Sequence, residues 1–290
     1  MKTLPNARPI EIDELPLYTS WIPYLLGLKT LPRILDKTAE SVLREYDHDK
    51  WGVLLEKLKA AGSVTVADAD RLSVGENKTA AFYADGELYV ADTQTIQNAY
   101  FELVCTELRP MLEQFGHLVE LGAGYGALLF KLAASPGLEN VGFTAGEYTD
   151  TGVACIDLLS KGLSLKLETG HCDLSALDLK SFAVPDQAVF MTCWTMALLN
   201  GFSRNTLNEI IRHKPAVVVH IEPIYEHWGD MSLLHMLWKR YFQLNDYNQS
   251  MLSALKEFEA EGLVTIIDER ANLFGGNPLA PVSVIKWKPN

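Results

Sequence analysis

The stretch His117-Leu118-Val119-Glu120-Leu121-Gly122-Ala123-Gly124-Tyr125-Gly126 leaves the backbone few options. Its first five residues form an apolar run of strand length carrying one acid, and glycine occupies alternate positions from Gly122 to Gly126. Glycine enters left-handed conformations without a Cβ penalty, so the chain can turn sharply and bring a ligand against main-chain N–H groups at the start of a helix. Residues 128–134 supply that helix. Strand, tight turn and helix make one unit of an open α/β sheet.

The flanking sequence repeats this alternation. A second apolar run, residues 141–145, leads to Glu147, 21 residues after Gly126, where a doubly wound sheet places a carboxylate for ribose hydroxyls. A third, residues 163–169, runs into Gly170-His171-Cys172-Asp173-Leu174. Residues 187–193 read as a fourth strand, 206–212 as a helix, and 216–221 as a fifth strand whose Val217-Val218-Val219 run suits burial on both faces. Residues 231–260 predict one or two helices, and 263–268 and 282–287 two final strands joined by the loop 272–281. Upstream, residues 36–61 have helical spacing interrupted near Asp47 and Gly52, which predicts two helices joined by a turn. Asp85-Gly86 within residues 81–90 predicts a hairpin. Residues 93–115 predict a long helix that Pro110 kinks or splits.

These elements resemble the class I S-adenosylmethionine-dependent methyltransferase superfamily, whose pattern is Glu-Leu-Gly-x-Gly-x-Gly, an acid ending the second strand and an acid after the third. The resemblance rests on Glu120 to Gly126, Glu147 and Asp173, and covers about residues 115 to 290. It implies a doubly wound, mostly parallel α/β sheet of seven strands, the last inserted antiparallel. Residues 1–92 would form a mainly helical cap containing the hairpin, and 93–290 the core. The implied cofactor is S-adenosylmethionine, with S-adenosylhomocysteine as product. By the resemblance, Gly122, Ala123 and Gly124 face its methionine part behind Glu120, Glu147 faces the ribose, and Asp173 with the Leu174 main chain faces the adenine. Cys193, ending the fourth strand, completes the cofactor-binding set. The same loop also fits a dinucleotide turn, Gly-x-Gly-x-x-Ala, ending at Ala127. Glu120, Asp173 and the lack of a second mononucleotide half weigh against that reading.

Ligands of open sheets bind beyond the carboxyl ends of the strands, which places the methyl acceptor near residues 192–196 and 220–228. Glu222-Pro223-Ile224-Tyr225 resembles the Asp/Asn-Pro-Pro-Tyr motif of amino-group methyltransferases, with Glu in first place and one proline absent. That makes Glu222 and Tyr225 candidate catalytic residues for a nitrogen acceptor, an amine or guanidinium; a carboxylate capping the next helix is the competing role for Glu222. His220 and His227 are candidate general bases for an oxygen acceptor, or hydrogen-bonded core residues. The aromatic segment 238–248 either walls the acceptor pocket beside Glu222, Glu226 and Asp246 or packs against the cap. No aspartate cluster completes an oxygen-rich magnesium site, so no metal is expected.

Composition narrows the function further. With 48% hydrophobic content in 290 residues the chain can bury a large core. A net charge of −12 and a pI near 5.0 oppose binding to a nucleic-acid backbone, which needs clustered Lys and Arg. No apolar run approaches the ~20 residues that span a bilayer. Nor does an apolar signal segment follow the first residues, so the expectation is a cytoplasmic protein. Cys105, Cys155, Cys172 and Cys193 lack Cys-x-x-Cys spacing and read as reduced, packed thiols. The expected function is methyl transfer to a small polar metabolite or peptide-derived product, with a homodimer through the N-terminal region compatible with the sequence. The rival is a non-catalytic protein that binds a partner through its first 100 residues on a methyltransferase fold.

Overall fold

The Val217-Val218-Val219 run sits inside a ten-stranded sheet in a strand buried at every position, as its unbroken apolar character predicts. The structure, a computed structural model, describes residues 4, 6–32, 35, 37–62, 65–75, 78–163, 167–174, 184–199, 204–229 and 232–290. Part of the expected third strand, residues 164–166, lies outside them. In chain order the elements begin with β1 (Arg8–Ile10), α1 (Ile22–Leu25), α2 (Ala39–Leu43), α3 (Val53–Ala61), α4 (Val66–Val74), β2 (Thr79–Ala84), β3 (Glu87–Asp92) and α5 (Thr93–Phe115). They continue with β4 (His117–Leu121), α6 (Ala127–Ala133), β5 (Gly142–Glu147), α7 (Asp150–Leu163), β6 (Glu168–His171), β7 (Val189–Cys193), α8 (Arg204–Arg212) and β8 (Val217–Glu222). Last come α9 (Leu233–Leu244), α10 (Met251–Ala260), β9 (Val264–Gly275) and β10 (Val282–Pro289).

The strand order is β1-β3-β2-β9-β10-β8-β7-β4-β5-β6. The pairs β4–β5, β5–β6, β4–β7 and β7–β8 are parallel, and the other five pairs are antiparallel. The expectation of seven mostly parallel strands is therefore corrected to ten, among the described residues, in a mixed sheet. The cause is the hairpin β2–β3, which joins the sheet instead of standing in a separate cap. Tyr83 and Ala84 pair with Gly275 and Phe274, and Arg8 to Ile10 then add to β3. Strand β9 runs to Gly275, well into the predicted loop 272–281, and so reaches the hairpin. Strand β10 is antiparallel between β8 and β9, as expected.

Alternate residues of the central strands face two helical layers. Leu118, Val189, Met191, Val217 and Val219 pack with α3, α5, α6 and α7. Val119, Leu121, Phe190 and Val218 pack with α8, α10 and Trp287. A third cluster joins α9 to β1, α1 and the hairpin through Trp238, Phe242 and Tyr83. Strand β4 lies between β5 and β7, so the chain winds outward on both sides of it and leaves a crevice at its carboxyl end.

One helical expectation is narrowed and one is corrected. Pro110 does not split α5, which runs unbroken from Thr93 to Phe115. Proline removes one backbone hydrogen bond, and Val104, Glu107, Leu108 and Leu112, buried on both sides of it, hold the helix in place. Residues 39–61 are not two helices joined by a turn. Between α2 and α3 the nine residues Arg44–Gly52 continue as a π-helix. At Gly52 a Cβ would stand 2.8 Å from the Asp47 carbonyl oxygen, so this winding needs glycine. Among the described residues no helix is long and apolar enough to cross a membrane.

Candidate functional site

The glycine turn after β4 is held mainly by its neighbours. Gly122 and Ala123 donate their N–H groups to the Gly146 carbonyl at 2.7 and 2.9 Å, and Gly124 donates to Glu147 Oε2 at 2.8 Å. Those N–H groups are thus engaged inside the protein, so the turn offers a ligand its bare backbone surface rather than these donors. At Gly124, with φ of 58°, a Cβ would also stand 2.9 Å from the Trp51 ring, so a side chain here meets both backbone strain and a steric wall.

Beside the turn lies a cavity of about 380 Å³. All eight residues assigned to the cofactor line it: Glu120, Gly122, Ala123, Gly124, Glu147, Asp173, Leu174 and Cys193. They come from the carboxyl ends of β4, β5, β6 and β7, which the parallel pairing brings side by side. Glu147 Oε1 accepts from the Thr149 N–H and hydroxyl, which with the Gly124 bond uses three of the roughly four lone-pair positions of a carboxylate. Glu120 is buried, and its Oε2 has no hydrogen-bond partner. Burial, assisted by the charge of Glu147, pushes its pKa well above the carboxylate range. A buried acceptor without a donor, opening on a cavity, is a place for a ligand cation.

Sequence reasoning missed the opposite wall, which comes from the N-terminal segment. Lys37, Ala39, Val42, Tyr46 and Trp51 line the cavity. Two contacts fix this segment to the core near the cofactor strands. Asp47 Oδ1 accepts from the Thr151 N–H at 3.0 Å and from its hydroxyl at 2.8 Å, capping the start of α7. Buried Asp70 on α4 accepts from the Tyr125 hydroxyl at 2.7 Å and pairs with Lys131 at 2.5 Å. The interrupted helical spacing near Asp47 and Gly52 was the one sequence signal of this arrangement.

The candidate catalytic residues are placed elsewhere. None of Glu222, His220, Tyr225 and His227 is among the described residues lining the cavity. Glu222, fully buried, accepts N–H groups from Thr195, Met196 and Ala197 at 2.8, 3.0 and 3.4 Å. It thereby clamps the turn after β7, where Trp194 is held at φ of 57°, a strained conformation for a bulky residue. Burial pushes the Glu222 carboxyl up to about 7 against those hydrogen bonds. His220 is fully buried on the α8–α10 side of the sheet, and burial pushes its pKa down to about 3. Its Nε2 accepts from the Trp287 indole N–H at 2.9 Å, so in the neutral ring Nδ1 donates to Thr192 Oγ1 at 2.8 Å. That leaves no lone pair for a substrate proton. His227 is taken up by Ser283 and Glu269, and the Tyr225 hydroxyl accepts from Gln243.

The aromatic segment packs against the N-terminal part of the chain, the second of the two roles considered for it. Tyr241 meets Trp21 with ring centroids 4.8 Å apart, and Trp238 meets Tyr83 at 5.0 Å. Glu226 Oε1 accepts the Ser253 N–H near the start of α10, and Asp246 accepts the Lys37 N–H.

No family model and no curated relative matches the chain. Among solved structures, a magnesium protoporphyrin IX methyltransferase from Synechocystis PCC 6803 with bound SAH is similar at a TM-score of 0.50 and 10% identity, over 87% of this chain and 100% of that one. A 16S rRNA methyltransferase in complex with S-adenosyl-L-homocysteine is similar at a TM-score of 0.50 and 12% identity, over 92% of this chain and 88% of that one. The chain shares the α/β fold of these methyltransferases.

Proposed function

We propose that the chain is an S-adenosylmethionine-dependent methyltransferase acting on a small molecule. The observation that carries this reading is the convergence of the eight cofactor-assigned residues on one cavity, with Glu120 Oε2 buried there without a donor. Glu120 would take the ammonium of the methionine moiety, the Gly122 to Gly124 backbone would lie along it, Glu147 would accept from the ribose, and Asp173 with the Leu174 main chain would hold the adenine. When bound, the cofactor supplies an activated methyl group on a sulfonium. The protein's own part is to hold the nucleophile in line and exclude water, which accelerates such a displacement without a covalent intermediate. Trp194, Thr195, Leu198 and Leu199 from the β7 side and Val42 and Tyr46 from the cap supply a mostly apolar enclosure for this.

The lean toward an amine or guanidinium acceptor draws on the Glu222–Tyr225 motif and on Glu222, Glu226 and Asp246 beside the pocket; these three acids do not line the cavity, and their carboxylates are engaged with backbone N–H groups. The oxygen alternative with a histidine base loses its base, since His220 and His227 are likewise engaged. A nucleophile that arrives already deprotonated, or loses its proton to water, needs neither.

The deciding experiment is a calorimetric titration with S-adenosylhomocysteine, with NAD as control and Glu147→Ala beside it. One-site binding that is weakened in the variant and absent for NAD is expected. Preference for NAD would return the loop to the dinucleotide reading, and binding without methyl transfer to any acceptor class would favour the non-catalytic rival.

A further inference from the structure

Of the described residues lining the cavity, Lys37 is the only cationic side chain. Its side chain is 6% exposed, an uncommon place for an ammonium unless a partner is present. That partner is Glu45, at 2.7 Å, but Glu45 is shared: its other oxygen lies 2.9 Å from Lys50 Nζ. One carboxylate therefore stands between two ammonium groups. The Asp246 carboxylate also touches this residue, accepting from the Lys37 backbone N–H at 3.2 Å. Among the described residues only Glu45 is within ion-pair distance of the ammonium.

The contacts of Lys37 tie it to the segment after α9 and, through that segment, to the turn after β7. Its ammonium lies 5.2 Å from the Tyr247 ring centroid, and the next residue, Asn248, donates its N–H to Ala197 in the turn after β7. The lining acids, Glu120, Glu147 and Asp173, belong to the strand ends assigned to the cofactor. The lining residues that follow it in the chain, Ala39, Val42 and Tyr46, are apolar apart from one phenol. An apolar enclosure with one convergent charge fixes both the shape and the charge of what it binds.

We propose that the methyl acceptor is an apolar or aromatic small molecule bearing a carboxylate or comparable oxyanion, and that Lys37 binds that group. This rests on the methyltransferase reading and names its substrate class. An ammonium freed in part from a shared carboxylate takes a second oxyanion at little desolvation cost, because it is already held out of water. A cationic acceptor at the same place would meet like charge.

The test uses the full chain saturated with S-adenosylhomocysteine and three matched probes, phenylacetate, phenylacetamide and phenethylamine, titrated by calorimetry. Phenylacetate should bind more tightly than the other two, and Lys37→Met should weaken it about tenfold or more, with homocysteine-compound affinity unchanged and Lys37→Arg retaining most of the binding. The order of the three probes on the unaltered protein stands even where a variant fails to fold. Equal or tighter binding of phenethylamine, no binding of phenylacetate, or phenylacetate binding insensitive to Lys37→Met overturns the proposal. Failure of the chain to bind S-adenosylhomocysteine overturns the methyltransferase reading instead.

Discussion

Glu222 shows how burial reassigns a side chain. Its carboxyl keeps its proton to about pH 7 in the folded protein, against 4.5 when exposed. The unfolded chain releases that proton first, so the contribution to stability is full below pH 4.5 and is lost as pH rises through about 7, by roughly 3 kcal/mol. Burial raises Glu120 and Glu147 as well, which steepens the same slope. In Glu222→Gln the thermal midpoint should fall less between about pH 5 and 8 than in the parent, and an unchanged slope would reject this assignment. The amide keeps an oxygen for Thr195 and Met196, so turnover should stay near the parent value. Glu222→Ala strands the three N–H donors and should cost about 3 kcal/mol, read by denaturant unfolding, together with turnover. The residues assigned to the cofactor come together as they do because they sit at or just past strand ends, which hydrophobic pattern alone locates. Glu222 also sits at a strand end, but its N–H partners lie more than twenty residues earlier, on a turn whose geometry no local pattern encodes. The setting of Lys37 was hidden for the same reason, because Glu45, Lys50 and Asp246 come together only in the fold.

At the level of elements, the hairpin was legible from its turn and its place in the main sheet was not. Asp85-Gly86 specifies the hairpin, yet nothing near it names Phe274 and Gly275 as the partners that make it part of the main sheet. The alternation of β4 to β8 was legible because strands buried on both faces must be apolar throughout. The cap helices were harder, since the interrupted spacing near Asp47 and Gly52 gives no sign that Trp51 meets Tyr125 in the glycine turn or that Asp47 meets the start of α7. Their attachment is testable. Asp70→Ala removes one partner of a buried ion pair and should destabilise the protein by about 3 kcal/mol in denaturant unfolding. Asp47→Ala should cost about 1 kcal/mol, the usual worth of a helix cap, and speed hydrogen exchange in residues 39–61 and at the start of α7 together. Faster exchange in only one of them would mean that Asp47 does not couple them.

For the whole molecule, the cavity is a joint between distant parts of the chain, one wall from residues 37–51 and the other from 120–199. A ligand filling it bonds those parts together, so S-adenosylhomocysteine at about 100 times its Kd should add about 2.7 kcal/mol to the stability of the entire protein rather than of one region. The π-wound stretch gives that joint a length requirement. An α-helix turns about 100° per residue, and a π-helix accommodates an extra residue in each turn. Deleting exposed Asp49 would let Arg44–Gly52 relax toward α-helix and swing Trp51 around the axis, away from Gly124. Substituting Asp49 with alanine leaves the count intact. The deletion should therefore abolish homocysteine-compound binding in calorimetry while the substitution spares it. In this segment the number of residues carries information in its own right: at an exposed position such as Asp49 a change of letter should be tolerated more readily than a change of spacing.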